Sequence, residues 1–237
     1  MKALLVLLSA GKLGKVLLTG GSMIISVFTY SFLFGWWYAA GFVGLIFAHE
    51  MGHFIAARQR GLNVGAPTFI PFVGAWIELK EQPHDVETEA YIGFAGPFIG
   101  SVAALLVYFM SRSYDSNLLL ALAYAGFFIN LFNLIPISPL DGGRITAVLT
   151  PRIWFAGVPL LVAAFFYLHS PILVLIAILA LPQLKLAWNY DPNDESNKQY
   201  YSVSNEQRIM YTVYYIGLMI FLAAMSYNIH EVLGKGY

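Results

Sequence analysis

Two histidines and a glutamate stand together in the stretch Ala48-His49-Glu50-Met51-Gly52-His53. On a helix, His49 and His53 lie one turn apart on one face. Both imidazoles then reach a single metal ion, and Glu50 stands beside it as a general base. Two imidazoles do not complete a catalytic metal site, which takes three protein ligands and keeps one position for water. The chain has no cysteine, so the third ligand must be His, Asp or Glu. Asp141 is the best candidate; Glu87 and Glu89 are alternatives, weaker because acidic residues opening a helix already suit its positive end. One carboxylate and two neutral imidazoles leave a divalent site net positive, which favours bound hydroxide. Glu50 would take the proton from that water and deliver it to a leaving amine. The chemistry is metal-assisted amide hydrolysis.

The surroundings sharpen this reading. Residues 41–47 and 54–57 are apolar, so three ionisable side chains interrupt a membrane-like helix, each costing about 2.5–3.5 kcal/mol on insertion scales. Across the 237 residues, 59% are hydrophobic and 11% charged, and formal net charge is zero. Mean hydropathy is +0.68. A soluble domain carries about 25% charged residues. The composition predicts an all-α polytopic membrane protein and excludes disorder and nucleic-acid binding as main readings.

The segment 4–8 is apolar but short, followed by Lys12 and Lys15, and is expected to lie at the membrane surface or to dip in and return. No signal peptide is evident. Spans are expected at 23–38, 39–58, 90–110, 118–135, 153–168 and 171–188, with 209–227 as a seventh if it crosses. The aromatic run Phe28, Tyr30, Phe32, Phe34, Trp36, Trp37 and Tyr38 reads as an interface belt closing the first span. Gly61, Gly65, Pro67, Pro71 and Gly74 break the helical pattern after the second span. Phe69, Ile70, Phe72, Val73, Trp76, Ile77 and Leu79 then favour a short membrane-associated β segment. Pro97 should kink the third span or break it. His84 and His169, in a polar loop and a tight turn, read as solvated, and 189–207 reads as a polar loop. Two prolines and two glycines break the chain at 136–143 while it stays apolar. Irregular backbone at that depth is tolerated only against protein or a wet cavity, so Asp141 should face a cavity. With the N-terminus in the cytoplasm, eleven Lys and Arg fall inside and only Arg112 and Lys235 outside, a positive-inside bias that sets the histidines and Asp141 toward the cytoplasmic half.

Three stretches together resemble the site-2 protease family of intramembrane zinc metalloproteases (peptidase family M50): His49-Glu50-Met51-Gly52-His53, Ala95-Gly96-Pro97, and the Asn-x-x-Pro-x-x-Pro-Leu-Asp-Gly-Gly run from Asn133 to Gly143. The resemblance covers roughly residues 20–190 and leaves an extra C-terminal helix near 204–229 within one transmembrane protease domain, 1–237. It implies one Zn2+ per chain held by His49, His53 and Asp141, with Glu50 as catalytic base. It also implies that Asn133, Pro136 and Pro139 position substrate or steady the oxyanion. The implied substrates are transmembrane proteins or peptides cut within the bilayer, in a bacterial cell membrane. Many members carry Asn where this chain has Gly100, so no role passes to that position. No soluble stretch exceeds about 25 residues, while a domain needs about 50, so no appended regulatory domain is expected.

A competing reading is a metal-binding membrane protein or adaptor that does not cleave. Glu50 argues against it, since a mere metal holder needs no base beside its ligands. A carrier should also spread ionisable residues over several spans, whereas here they converge on one site. A hydrolase acting on a helix must unwind it, and 69–79 is the expected strand edge for pairing with the unwound segment.

Overall fold

The computed structural model describes residues 2–72, 74–76 and 81–234, with side chains from Leu17 onward except that of Trp76. Val73, residues 77–80, among them Ile77, Leu79 and Lys80, and Lys235 lie outside the described residues. The chain is an all-α multi-pass membrane protein with one small sheet: α1 (Lys2–Phe34), α2 (Trp36–Gln59), β1 (Thr68–Ile70), β2 (Gly74–Trp76), α3 (Val86–Ser113), α4 (Asn117–Asn133), α5 (Asp141–Thr146), a 3-10 turn (Pro151–Ile153), α6 (Trp154–Leu168), α7 (Pro171–Trp188), α8 (Glu195–Tyr200) and α9 (Asn205–Gly234). Among the described residues, six helical stretches are long and apolar enough to cross a bilayer: Leu17–Phe34, α2, α3, Pro151–Leu168, α7 and α9. Helix α9 therefore joins the expected set, whereas α4 has only 17 residues. It stops there because the chain must turn back through Pro136 and Pro139 to reach Asp141.

Three expectations change. No separate surface segment precedes the first span, since Lys2–Phe34 is one continuous helix. The break falls at Gly35, whose φ of 80° ends α1 and gives Trp36, Trp37 and Tyr38 to α2 rather than to the first span. Tyr30 is not part of an outer belt: it is buried and packs edge-on against Phe42 and Phe72. The polar stretch before α9 also holds a short helix, α8, capped by the Asp194 carboxylate on the N–H of Ser196.

Helices α2, α3, α4 and α9 form the packed centre. Leu45, Ala104, Leu122, Phe127, Leu218 and Leu222 meet there. Lipid tails are as apolar as leucine, so close packing must supply what the hydrophobic effect cannot. Small residues allow it. A Cβ on Gly52 would run into the Ala95 carbonyl of α3, and one on Gly126 would press on Ala104 and Leu45. Helix α3 continues through Pro97. Helix α2 ends at Gly61, φ 76°, where the N–H of Gly61 donates to Arg58 and that of Leu62 to Ala57. This pair of bonds satisfies the last carbonyls and needs the positive φ that glycine adopts freely.

The small sheet is antiparallel, with Phe69 opposite Ala75 and Ile70 opposite Gly74. Helix α1 holds it. Thr19 Oγ1 donates to the Pro67 carbonyl (2.7 Å), the Phe69 N–H donates to Ser22 Oγ (3.2 Å), and the Phe72 N–H donates to Tyr30 Oη (2.9 Å).

The C-terminal helices are tied into the same centre. Tyr215 Oη donates to the Leu134 carbonyl (2.5 Å) where α4 ends. Arg208 Nη1 donates to the carbonyls of Val148 and Leu149 just beyond α5 (2.5 and 2.7 Å). Tyr211 Oη donates to Glu87 (2.6 Å) and Tyr200 Oη to Glu89 (2.5 Å) at the start of α3. Replacing Arg208 with Met should cost about 1.5–3 kcal/mol, the usual value of charge-assisted hydrogen bonds. The expected result is a clearly lower Tm in detergent, against no change for Arg112→Met at the opposite, exposed end of α3.

Candidate metal centre

Helix α2 buries His49, Glu50 and His53 on the face turned toward α3 and α4. Asp141 opens α5 and is buried with them. The loop 134–140 doubles back over the first turn of α5, and only glycines fit beneath it. A Cβ on Gly142 would strike the Leu134 and Ile135 carbonyls, and one on Gly143 would strike the backbone of Ile137 and Ser138. Trp154 Nε1 donates to the Gly143 carbonyl (2.8 Å) and fixes the turn from the other side. Gly93 of α3 faces the Asp141 carbonyl and Arg144 Cβ, so α5 lies directly on α3.

Three donor atoms converge. His49 Nε2 and His53 Nε2 are 3.1 Å apart. Asp141 Oδ2 lies 3.2 Å from the first and 3.3 Å from the second. A tetrahedral ion with bonds of 2.0–2.1 Å requires its ligand atoms to stand about 3.3–3.4 Å apart, so the triangle fits such an ion.

The hydrogen bonds behind the rings decide which nitrogen carries each proton. His53 Nδ1 faces the Ile92 carbonyl at 2.7 Å. A carbonyl only accepts, so Nδ1 is protonated and Nε2 presents a lone pair to Asp141. His49 Nδ1 faces Asn130 Oδ1 at 2.8 Å, and Asn130 Nδ2 donates to the Gly126 carbonyl at 2.7 Å. The second bond fixes the amide so that its oxygen meets His49. His49 is therefore also protonated on Nδ1, with its Nε2 lone pair free. Two lone pairs and a carboxylate oxygen converging within 3.3 Å repel one another unless a cation lies between them. Partners of this kind behind metal-binding histidines fix the ring tautomer and orientation.

Neither Asn130 nor Ile92 is marked by the motif. Asn130 is an amide inside an apolar span, which is a signal for function in itself, and it went unused. Gly100 now has an explanation: a Cβ there would overlap the Asn130 amide, as one on Gly96 would overlap the His53 ring.

The triangle lies on a cavity of about 590 Å³. Glu50, Asn133, Pro139 and Arg144 line it beside the donors, and its apolar walls come from Phe42 and Ile46 of α2, Ile129 of α4 and Ile172, Ile176 and Leu179 of α7. Glu50 is 7% exposed and makes no hydrogen bond or ion pair among the described residues, so its carboxylate is free to act on whatever enters. Pro136 is buried behind the loop, its carbonyl against Gly157, and is not among the lining residues. Glu87 is taken up by Arg60 (2.8 and 2.7 Å) and Tyr211, and Glu89 by Tyr200. Neither belongs to the donor triangle. Burial, and then the Glu89 carboxylate beside it, pushes the Tyr200 hydroxyl above its usual range, so it remains a donor. His84 and His169 are exposed.

Residues 37–116, which carry both histidines and Gly96-Pro97, match the model of peptidase family M50. That stretch, about a third of the chain, is similar to peptidase family M50. Two relatives agree with this similarity. A zinc metalloprotease of Methanocaldococcus jannaschii is 32% identical over 102 residues, 41% of this chain and 29% of the relative. An Arabidopsis thaliana protein named "Probable zinc metalloprotease, chloroplastic" is 27% identical over 153 residues, 45% of this chain and 28% of the relative. The chain thus spans less than a third of the length of these curated relatives.

Asn130→Leu should leave the His49 Nδ1–H without its acceptor and free the ring. Metal affinity, measured by competition with a chromophoric chelator, should fall about 10- to 100-fold, as for other outer partners of metal ligands. A variant matching the wild type would remove Asn130 from the site.

Proposed function

We propose that this chain is an intramembrane zinc endopeptidase of the site-2 protease type, cutting transmembrane proteins or peptides within the bilayer. The observation that carries this is the donor triangle of His49, His53 and Asp141 with an unpaired Glu50 beside it, at an apolar cavity within a helical membrane bundle. Zinc, held by those three residues, would supply a positive charge that acidifies water and polarises a carbonyl. Glu50 takes a proton from the attacking water and returns it to the amine nitrogen as the C–N bond breaks. Asn133 and Pro139, at the cavity wall, orient the substrate chain, and Pro136 shapes the loop that carries them. One ion per chain suffices. The chain is one protease domain in which α8 and α9 close the core. With α4 crossing as well as the six longer stretches, the positive-inside bias of eleven against two supports an active site toward the cytoplasm, as in a bacterial cell membrane.

The substrate presents its own physical problem. An unwound segment in lipid carries unpaired backbone groups costing several kcal/mol each. The outer edge of β2 can accept it. The Phe69 N–H donates to Ser22 of α1 rather than across the ladder, so Phe69 and Ala75 form a non-hydrogen-bonded pair. The Ala75 N–H and C=O therefore point away from β1. Gly74 and Ala75 both line the cavity, so that edge offers a donor and an acceptor for strand addition beside the donor triangle.

Purified protein should contain zinc, and Asp141→Ala should lose it. Glu50→Gln should keep zinc and lose cleavage of a membrane-spanning peptide; full activity of that variant would refute the base assignment. Ala75→Pro removes the outward donor at a position where the β1–β2 ladder does not need it. Cleavage should fall at least about tenfold, the worth of one lost hydrogen bond of ~1.4 kcal/mol, with zinc content unchanged. Unaltered cleavage would exclude the β2 edge from substrate binding.

A further inference from the structure

Arg144 stands apart from the other partly buried arginines. Arg60 spends its fork on Glu87, and Arg208 spends its own on the carbonyls of Val148, Leu149 and Tyr201. The Arg144 side chain is 20% exposed, yet its nearest carboxylate oxygens are Glu89 Oε1 at 3.8 Å from Nε and Asp141 Oδ1 at 3.9 Å from Nη1. Both exceed hydrogen-bond length. Among the described residues its guanidinium donates to nothing. The side chain is nevertheless well placed. Gly93 leaves room for its Cβ, and Glu89, itself held by Tyr200, steadies the Nε edge. The guanidinium lines the cavity together with His49, Glu50, His53 and Asp141, one carboxylate's width from the donor triangle.

A planar cation with five donors, held by the charges of Glu89 and Asp141 but hydrogen-bonded to neither, suits an acceptor that gains charge at the wall of a reaction cavity. We propose that Arg144 is a catalytic residue of this site, donating to the carbonyl oxygen of the scissile peptide as that oxygen becomes anionic. The proposal rests on the endopeptidase reading. As the water oxygen bonds to the carbonyl carbon and Glu50 removes its proton, the carbonyl π pair moves onto oxygen. Arg144 N–H groups donate to that oxygen, more strongly than to the neutral carbonyl. When the pair returns, the C–N bond breaks and the Glu50 proton passes to nitrogen, giving a carboxylic acid and an amine; transfer of the acid proton to the amine leaves a carboxylate terminus and an ammonium group. Glu89 is a positioning residue, acting through Arg144.

The test compares zinc-loaded wild type with Arg144→Gln and Arg144→Lys. For Arg144→Gln, zinc affinity and KM for a membrane-spanning peptide should stay near wild type while kcat falls about 10²- to 10³-fold, as for loss of an oxyanion donor. Arg144→Lys should recover part of that loss. Binding gives a second readout. An N-phosphoryl dipeptide, whose phosphoryl group is tetrahedral and anionic, should bind Arg144→Gln about 10- to 100-fold more weakly, while acetohydroxamate, directed at the metal, should bind both alike. Equal phosphoryl-dipeptide binding by wild type and Arg144→Gln would overturn the proposal, as would a loss of activity that tracks loss of zinc. A zinc-loaded wild type that cleaves no membrane peptide would instead sink the endopeptidase reading, and the phosphoryl-dipeptide comparison would still decide whether Arg144 meets a tetrahedral anion.

Discussion

Everything in this structure answers to a repulsion. Two imidazole lone pairs and a carboxylate oxygen are held 3.1–3.3 Å apart inside an apolar bundle. Left to themselves, the rings would turn away or one would take a proton and bond to Asp141. The Ile92 carbonyl and the Asn130 amide oppose the turning by engaging each Nδ1–H. Buried polar groups impose large penalties when unsatisfied, so the hydrogen bonds at the back of the rings enforce the arrangement at the front. The donor set is prepared for a divalent ion by groups that do not touch it.

Preparing it requires backbones to come close. The His53 ring occupies the space beside Gly96, the Asn130 amide the space beside Gly100, and the Leu134 carbonyl the space beside Gly142. These glycines lie at crossings of α2, α3, α4 and α5, and each marks the point where a functional group or the backbone that carries it passes. In lipid, where helices gain nothing from leaving water, such crossings supply packing and let interhelical hydrogen bonds form. The same residues therefore serve association and chemistry, and a methyl at any of them would move a ligand before it weakened the bundle.

What the sequence reveals follows from range. His49, Glu50 and His53 are legible because their relation is one helical turn. Asp141 is legible because Pro136, Pro139, Gly142 and Gly143 mark a broken helix in an apolar stretch. The hairpin is legible from β-branched and aromatic residues between glycines and prolines. Asn130 is 81 residues from the ring it holds, and the Tyr200–Glu89 bond spans 111 residues. No periodicity reports such pairs. Aromatics continuous on both sides hide the break at Gly35, and Lys12 and Lys15 make one continuous helix α1 read as two segments. The apolar run ending at Asn133 looked long enough to span because nothing in composition says where a helix turns back.

Helices α8 and α9 lie outside the motif-bearing stretch, yet their side chains reach the start of α3, the end of α4 and the carbonyls just beyond α5. These are the three pieces that must stay in register for Asp141 to meet the histidines. Helix α7 is different: it packs chiefly on α6 and the 3-10 turn, while Ile172, Ile176 and Leu179 face the cavity. The helices that carry the donors are thus fastened by hydrogen bonds from a C-terminal helix, and the α7 wall is held by apolar contact with α6, the 3-10 turn and Ile137 and Leu140 of the loop. If the chain cleaves membrane helices, a substrate approaching through lipid would part a pair of helices to reach Glu50. Parting α7 would break apolar contacts, whereas parting α9 would also strand Arg208, Tyr211 and Tyr215 without their acceptors.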